Sequence, residues 1–94
     1  MHELSLAQGL LDQLAALARQ HRASRIVRVE VAIGRQAGIV VDSFVFGFNA
    51  IRTTLEATRE ATLVVTATDG CDLVLNRVEM EDDPAGQRAG KGEA

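Results

Sequence analysis

The sequence predicts an α+β fold in which two helices pack on one face of a three-stranded sheet, in the order helix, strand, helix, strand, strand. Three observations lead to this prediction: an early apolar stripe of helical period, an alternating run of β-branched residues, and an Asp-Gly pair between two later β-rich runs. The 94 residues are enough for one modest hydrophobic core. We therefore expect a single domain over residues 1–81, with a disordered tail over residues 82–94.

The first predicted helix runs from Leu4 to about Arg22. Apolar residues recur along it every three or four positions, which is the stripe of an amphipathic helix. Arg19, His21 and Arg22 suit the negative pole of the helix dipole at its end. An exposed helix end is therefore the ordinary interpretation of His21.

The first predicted strand runs from Arg25 to Ile33 and ends at Gly34, because β-branched residues alternate along it. One face of this strand carries Val27, Val29, Val31 and Ile33, and the other carries Ile26, Arg28, Glu30 and Ala32. We expect the first face to be buried.

The second predicted helix begins near Asp42 or Ser43, either of which can cap it with a side-chain oxygen. Its apolar residues fall at helical spacing, at Phe44, Phe48, Ile51 and Leu55. All three phenylalanines, Phe44, Phe46 and Phe48, are expected to belong to the core rather than to a ligand site, although helical spacing accounts for only two of them.

The last two predicted strands are Leu63–Thr68 and Leu73–Met80, with Asp69-Gly70 between them. Asp-Gly between β-rich runs is typical of a type I′ turn, whose two central residues need positive φ. The sequence therefore predicts that the last two strands form an antiparallel hairpin. From Glu81 onward the chain has almost nothing to bury, which favours a mobile tail.

Composition and motifs exclude several functional classes. A net charge of −3 without a Lys/Arg cluster argues against binding to nucleic acid or anionic membranes. No apolar run approaches the length of a membrane span. A single cysteine, Cys71, gives no sign of an oxidising compartment, so we expect a cytoplasmic protein. No phosphate loop or catalytic triad is present, and the sequence therefore does not predict an enzyme.

The first three residues, Met1-His2-Glu3, offer the most distinctive chemistry in the chain. The terminal amine, the His2 backbone nitrogen and the His2 imidazole form a set of linked nitrogens that suits planar Ni(II) or Cu(II) better than tetrahedral Zn(II). Simpler interpretations stay open from the residues alone: an incidental His2, a Glu3 that stabilises a helix start, and an Asp42 that only caps a helix.

Three segments resemble the hydrogenase/urease nickel-incorporation proteins, the HypA/HybF family. They are the opening MHELSLAQ, the strand RVEVAIG at residues 28–34, and residues 73–81 with their VEME ending. The resemblance covers about residues 1–82. It implies a nickel site in which Met1 contributes its amine, His2 its backbone nitrogen and imidazole, and Glu3 supports the geometry. Asp42, aligned with a ligand carboxylate of some members, is implied as a fourth partner.

The resemblance also implies a function and partners. The expected function is a nickel metallochaperone that binds Ni(II) transiently and delivers it during maturation of a nickel enzyme, expected to be a [NiFe] hydrogenase. The expected partners are a maturation GTPase and the hydrogenase large subunit, and edge-strand pairing could also give a homodimer. The alternative is an adaptor that docks onto a hydrogenase precursor or another maturation protein with weak or no nickel binding.

The chain departs from the family between its last two predicted strands. Family members normally carry a zinc domain with two CxxC pairs at this point, whereas here Asp69-Gly70 closes the gap. Cys71 cannot replace four thiolates, so no zinc is expected.

Overall fold

The computed structural model describes residues 2–82 and shows the predicted element order. The helices are α1 (His2–Gln20) and α2 (Val41–Ile51), and the strands are β1 (Arg25–Gly34), β2 (Thr62–Thr68) and β3 (Leu73–Glu81). The α+β class, with two helices and one three-stranded sheet, is thereby confirmed. The division into a domain over 1–81 and a tail over 82–94 stays a prediction, because Met1 and residues 83–94 lie outside the described part.

Helix α1 ends in a backbone motif that the sequence does not predict. The Ala23 N–H donates to the Ala18 carbonyl at 2.9 Å, and the Arg22 N–H donates to the Arg19 carbonyl at 3.2 Å. This pair of bonds is the Schellman arrangement, and it places Arg22 in the left-handed region with φ of 56°. The helix therefore stops at Gln20, two residues before the predicted end.

The hydrophobic core lies between the two helices and one face of the sheet. Its buried members are Ala7, Leu10, Leu11, Leu14, Ala18, Ile26, Val29, Val31, Ile33, Phe44, Phe48 and Ala61. Partly buried apolar residues of β2 and β3, including Leu63, Val65, Leu75 and Val78, pack against this cluster. The prediction that both helices cover the same face is therefore confirmed.

The predicted alternation along β1 is wrong at the first residues of the strand. Ile26, assigned to the outer face, is fully buried in the core, whereas Val27 is only partly buried and lies outside the core cluster. The pairing with β3 shifts between Ile26 and Arg28, so that Val27 is an extra residue in the ladder. A bulge of this kind inverts the alternation on one side of it, which turns Ile26 toward the same face as Val29.

The predicted hairpin of β2 and β3 is wrong. The strand order is β2-β1-β3, with β1 parallel to β2 and antiparallel to β3. The two late strands are antiparallel to each other, as expected, but β1 lies between them. Residues 69–72 therefore cross the end of β1 instead of reversing the chain directly.

The crossing is held by backbone hydrogen bonds from the end of β1. Gly34 N–H donates to the Asp72 carbonyl at 2.9 Å, and Arg35 N–H donates to the Thr68 carbonyl at 2.9 Å. A Cβ on Gly34 would overlap the Gly70 carbonyl and come within 2.8 Å of the Cys71 nitrogen. Gly70 has no positive φ, so the type I′ turn is absent. The path of residues 69–72 is therefore determined by long-range hydrogen bonds to β1, and the Asp-Gly pair alone does not determine it.

Helix α2 also differs from its prediction in two respects. It ends at Ile51, and Leu55 has extended backbone between two short 3₁₀ turns. Phe44 and Phe48 are fully buried, as predicted, but Phe46 is 76% exposed and is not a core residue. Phe46 lies two positions from each of its buried neighbours, so the helix turns it to the opposite face.

Candidate metal-binding site

His2 lies at the first residue of α1 with its side chain 61% exposed. The first N–H groups of an α-helix have no carbonyl four residues earlier to accept their hydrogen bond. The backbone nitrogen of His2 is therefore outside the helical hydrogen-bond ladder. Replacing its proton with a metal would break no intrahelical bond, and the imidazole beside it is accessible to solvent.

Glu3 is largely buried, with 12% of its side chain exposed, and its position is fixed by the second helix. Its Oε2 accepts a hydrogen bond from the Val40 backbone N–H at 3.0 Å, across 37 residues of sequence. The same oxygen lies 3.7 Å from Nδ1 of His2. One carboxylate thus contacts the residue that precedes α2 and lies beside the imidazole at the start of α1.

The surroundings of Glu3 keep its carboxylate ionised. The Val40 N–H lowers the pKa of Glu3 below its ordinary value of 4.5, and a bond from its own backbone acts in the same direction. The helix end that this N–H belongs to carries partial positive charge, which also favours a carboxylate. The result is an anionic oxygen held next to a solvent-facing imidazole, a pairing that suits a divalent cation.

Asp42 and Ser43 do not cap α2, contrary to the prediction. The N-cap residue is Val40, whose own side chain makes no capping hydrogen bond, and Asp42 lies exposed in the first turn. The helix begins at Val41, one residue before Asp42, so neither predicted side chain reaches the capping position. Glu3, from the other helix, is the side chain that bonds to Val40.

The structure brings His2 and Glu3 together and places Asp42 on the neighbouring helix start. Among residues 2–82, no three histidine, cysteine, aspartate or glutamate side chains converge as a group able to hold a metal ion. His2, Glu3 and Asp42 therefore do not form such a group, and Cys71 is an exposed free thiol apart from them. Met1, the remaining predicted ligand, lies outside the described residues.

An apolar cleft next to Glu3 is the feature that sequence reasoning missed. It has a volume of about 410 Å³ and is lined by Glu3, Leu4, Ser43, Phe46, Gly47, Ala50 and Ile51. Leu4 is 50% exposed and Phe46 is 76% exposed, so both present apolar surface to solvent. The sequence signal for this cleft is Phe46, because the helical spacing of the core residues accounts for Phe44 and Phe48 but not for Phe46.

Comparison with known proteins decides the family. A model of the family described as "Hydrogenase/urease nickel incorporation, metallochaperone, hypA" matches residues 1–80. The chain belongs to the HypA family. The resemblance inferred from the three sequence segments is thereby confirmed. The family is described by metal delivery and not by a catalysed reaction, which agrees with the expectation that this HypA chain is not an enzyme.

Curated HypA relatives match most of the chain. The hydrogenase maturation factor HypA of Xanthobacter autotrophicus is 40% identical over 70 residues, which cover 74% of this chain and 61% of that protein. The corresponding factor of Chlorobaculum parvum is 33% identical over 79 residues, which cover 84% of this chain and 60% of that protein. The chain thus spans about three fifths of the length of these two relatives.

Solved HypA structures share the fold. The solution structure of the Ni metallochaperone HypA from Helicobacter pylori superposes with a TM-score of 0.76 and 18% identity, covering 86% of this chain and 98% of that chain. Another HypA solution structure also gives a TM-score of 0.76, with 20% identity, 88% coverage of this chain and 98% of that chain. Over residues 2–82, no helix is long and apolar enough to cross a membrane.

Proposed function

We propose that this HypA chain is a nickel metallochaperone that takes up Ni(II) at Met1, His2 and Glu3, with Asp42 as a fourth partner. The observation that carries the proposal is the start of α1, where the exposed His2 lies 3.7 Å from the carboxylate of Glu3. His2 also has a backbone nitrogen outside the helical ladder. Together with the proposed Met1 amine, these two His2 nitrogens give one ion its donors from two consecutive residues. Nitrogen donors in a planar chelate favour Ni(II).

Exposure of the site suits transfer of the metal better than storage. An ion held by a solvent-facing imidazole and the chain terminus can be approached by incoming ligands of an acceptor protein, so that exchange needs no unfolding of the core. The proposed acceptor is a nickel enzyme under maturation, a [NiFe] hydrogenase. The proposed partners are a maturation GTPase and the large subunit of that hydrogenase. Delivery is proposed to take place in the cytoplasm, and HypA is proposed to act there either alone or as a homodimer.

A titration tests the nickel site. Metal-free protein with Met1 as its true first residue is titrated with Ni(II) by calorimetry, and binding of about one ion per chain is expected. His2→Ala, or a short Gly-Ser extension before Met1, should weaken binding by at least about tenfold. His21→Ala is the matched control, since His21 is exposed just beyond the other end of the same helix. Negligible nickel affinity of the unmodified protein would refute the proposal.

Asp42→Asn tests the fourth partner separately. The substitution removes a charge from an exposed residue and leaves the buried contacts of α2 unchanged. If Asp42 completes the nickel coordination, both the affinity and the visible absorption spectrum of the Ni(II) complex should change. An unaltered spectrum and affinity would remove Asp42 from the site and leave the N-terminal ligands in place.

Zinc is not proposed as a bound metal. Structural zinc sites use four ligands, commonly thiolates, and this chain has only Cys71. Metal analysis of protein purified without chelators should therefore find no stoichiometric zinc. A tightly held zinc ion would contradict this expectation and would indicate that Cys71 participates in a site shared between chains.

The adaptor alternative is favoured by the apolar cleft beside Glu3. Exposed Phe46 and Leu4 give α2 and α1 a surface on which an apolar side chain of a hydrogenase precursor or another maturation protein can dock. Phe46→Ser should weaken that docking and leave the core unchanged, whereas His2→Ala should leave docking unchanged. Two results together would replace the chaperone function with the adaptor function. They are normal binding of the hydrogenase large subunit to the His2→Ala variant, and negligible nickel uptake even by the unmodified protein.

A further inference from the structure

Exposed apolar side chains are concentrated at the starts of the two helices. Among residues 2–82, the exposed large apolar residues are Leu4, Val40, Val41, Phe46 and Val74. Val74 lies on the sheet, whereas the other four lie just before or within the first two turns of α1 or α2. Single exposed apolar residues are ordinary, but a cluster beside a cleft indicates a surface that another group covers.

The apolar cleft at these helix starts opens next to the first residue of α1. Glu3, Leu4 and Phe46 line it, together with Gly47, where a Cβ would lie 3.4 Å from Leu4 Cδ1. The helices therefore approach each other closely at Gly47. The described part of α1 begins at His2, so a single residue of the chain precedes the side chains that line the cleft.

We propose that the Met1 side chain occupies this cleft and thereby holds the terminal amine in position to bind nickel. Residues three apart on a helix share a face, with Cβ atoms about 5–6 Å apart. Position 1 is therefore within side-chain reach of Leu4 and of the cleft that Leu4 lines. The inference rests on the proposed nickel site and gives Met1 a positioning role in addition to its amine.

Methionine is chemically suited to this cleft. Apart from Glu3 and Ser43, the lining residues are apolar, and they include Ala50 and Ile51. An unbranched thioether side chain adapts to irregular apolar surface and makes favourable contacts with an aromatic ring, which Phe46 provides. Covering Phe46 and Leu4 also removes apolar area from water, which favours the packed position of Met1.

Packing of Met1 acts on nickel binding because the side chain and the terminal amine belong to the same residue. A free chain terminus samples many orientations, and chelation through its amine costs the entropy of fixing it. A side chain that is already packed in the metal-free protein reduces this cost. The cleft thus raises the nickel affinity without supplying a ligand.

Two variants at position 1 test the positioning role. Met1→Gly and Met1→Leu are prepared by cleaving a fusion partner directly before residue 1, so each keeps the terminal amine and both His2 nitrogens. Met1→Gly should weaken Ni(II) binding about tenfold, and Met1→Leu should stay within about twofold of the unmodified chain. The free peptides Met-His-Glu and Gly-His-Glu are the control and should bind Ni(II) equally.

Two outcomes of this comparison would overturn the proposal. Equal nickel affinity of the unmodified chain and Met1→Gly would show that the side chain does not position the amine. An equal loss in Met1→Leu and Met1→Gly would show that the methionine sulfur is required, and that apolar packing is not the cause.

A double-mutant cycle tests whether Met1 acts through the cleft. Phe46→Ser should weaken nickel binding in the unmodified chain and should have no further effect in the Met1→Gly variant. Val74→Ser is the matched control, since Val74 is an exposed apolar residue on the sheet, and it should leave nickel affinity unchanged. Fully additive losses from Met1→Gly and Phe46→Ser would overturn the proposal.

Nuclear magnetic resonance of the metal-free chain tests the packing without nickel. The chain has two methionines, and isotope-labelled methyl groups distinguish Met1 from Met80, which packs against the core. The Met1 methyl group should show Overhauser contacts to the Phe46 ring and to Leu4. Nickel binding without these contacts would overturn only this inference and leave the cleft to a partner's side chain. Contacts without nickel affinity would refute the nickel function, and the positioning role with it.

Discussion

Glu3 joins the starts of the two helices, because its Oε2 accepts a hydrogen bond from the Val40 backbone N–H at 3.0 Å. Removal of this acceptor should leave the Val40 N–H without its carboxylate partner and loosen the entry into α2. We expect Glu3→Ala to lower the free energy of unfolding at neutral pH, and Glu3→Gln, which keeps an acceptor oxygen, to lower it less. Urea unfolding measures both effects. Glu56→Gln, at an exposed glutamate, should cause no change.

The same contact predicts a dependence of stability on pH. The folded pKa of Glu3 is lower than its ordinary value of 4.5, so folding favours the ionised carboxylate. This stabilisation is fully present above the unfolded pKa and is lost as the pH falls through the folded pKa. The stability difference between the unmodified chain and Glu3→Gln should therefore narrow below pH 4.5. A difference in urea midpoint that stays constant from about pH 7 to about pH 3 would contradict this account.

Gly34 should be intolerant of any side chain. A Cβ at Gly34 would overlap the Gly70 carbonyl, which is backbone and has little freedom to move. Gly34→Ala is expected to destabilise the chain by about 3 kcal/mol, as measured by thermal or urea unfolding. Gly70→Ala is the control, since the nearest atom to its Cβ would be Thr68 Oγ1 at 3.9 Å. Equal stability of the two variants would show that the crossing over β1 is not as described.

The sequence predicted those elements whose cause is local. The apolar stripe of α1 and the β-branched run of β1 follow from periodicity, and periodicity acts within a few residues. The path between β2 and β3 does not, because Asp69-Gly70 is compatible with a hairpin and only the bonds from Gly34 and Arg35 select the crossing. Local pattern therefore identified the strands but not their neighbours.

The candidate site shows the same division. Met1 and His2 were singled out because their nitrogen donors lie in consecutive residues, and the family resemblance added Glu3. The structure places His2 and Glu3 side by side. The bond from Glu3 to Val40 was not predictable, since it joins residues 37 positions apart and involves a backbone group that carries no sequence signal. Asp42 or Ser43 was expected to cap α2 because either residue type suits that role, but the helix begins at Val41 and its N-cap residue is Val40. Glu3 from the other helix accepts a hydrogen bond from the Val40 N–H.

The bulge in β1 makes a prediction that separates the two faces of the strand. Ile26 is fully buried in the core and Val27 is not part of it. Ile26→Ala should therefore destabilise the chain by roughly 2–5 kcal/mol, which is the usual cost of truncating a buried isoleucine. Val27→Ala should cost less than about 1 kcal/mol. Strict alternation predicts the reverse order, so a urea-unfolding comparison of the two variants distinguishes the bulge from a regular strand.

The end of α1 offers a stabilising substitution. Arg22 has φ of 56°, a conformation that costs a residue with a Cβ about 1 kcal/mol and costs glycine little. Arg22→Gly should therefore raise the free energy of unfolding by roughly 0.5–1 kcal/mol, after allowance for the greater freedom of glycine in the unfolded chain. Arg19→Gly, inside the last turn, should instead lower it by about 1 kcal/mol. Calorimetric melting of the two variants checks the contrast: if both glycines lower the melting temperature, the Schellman motif does not end the helix at this point.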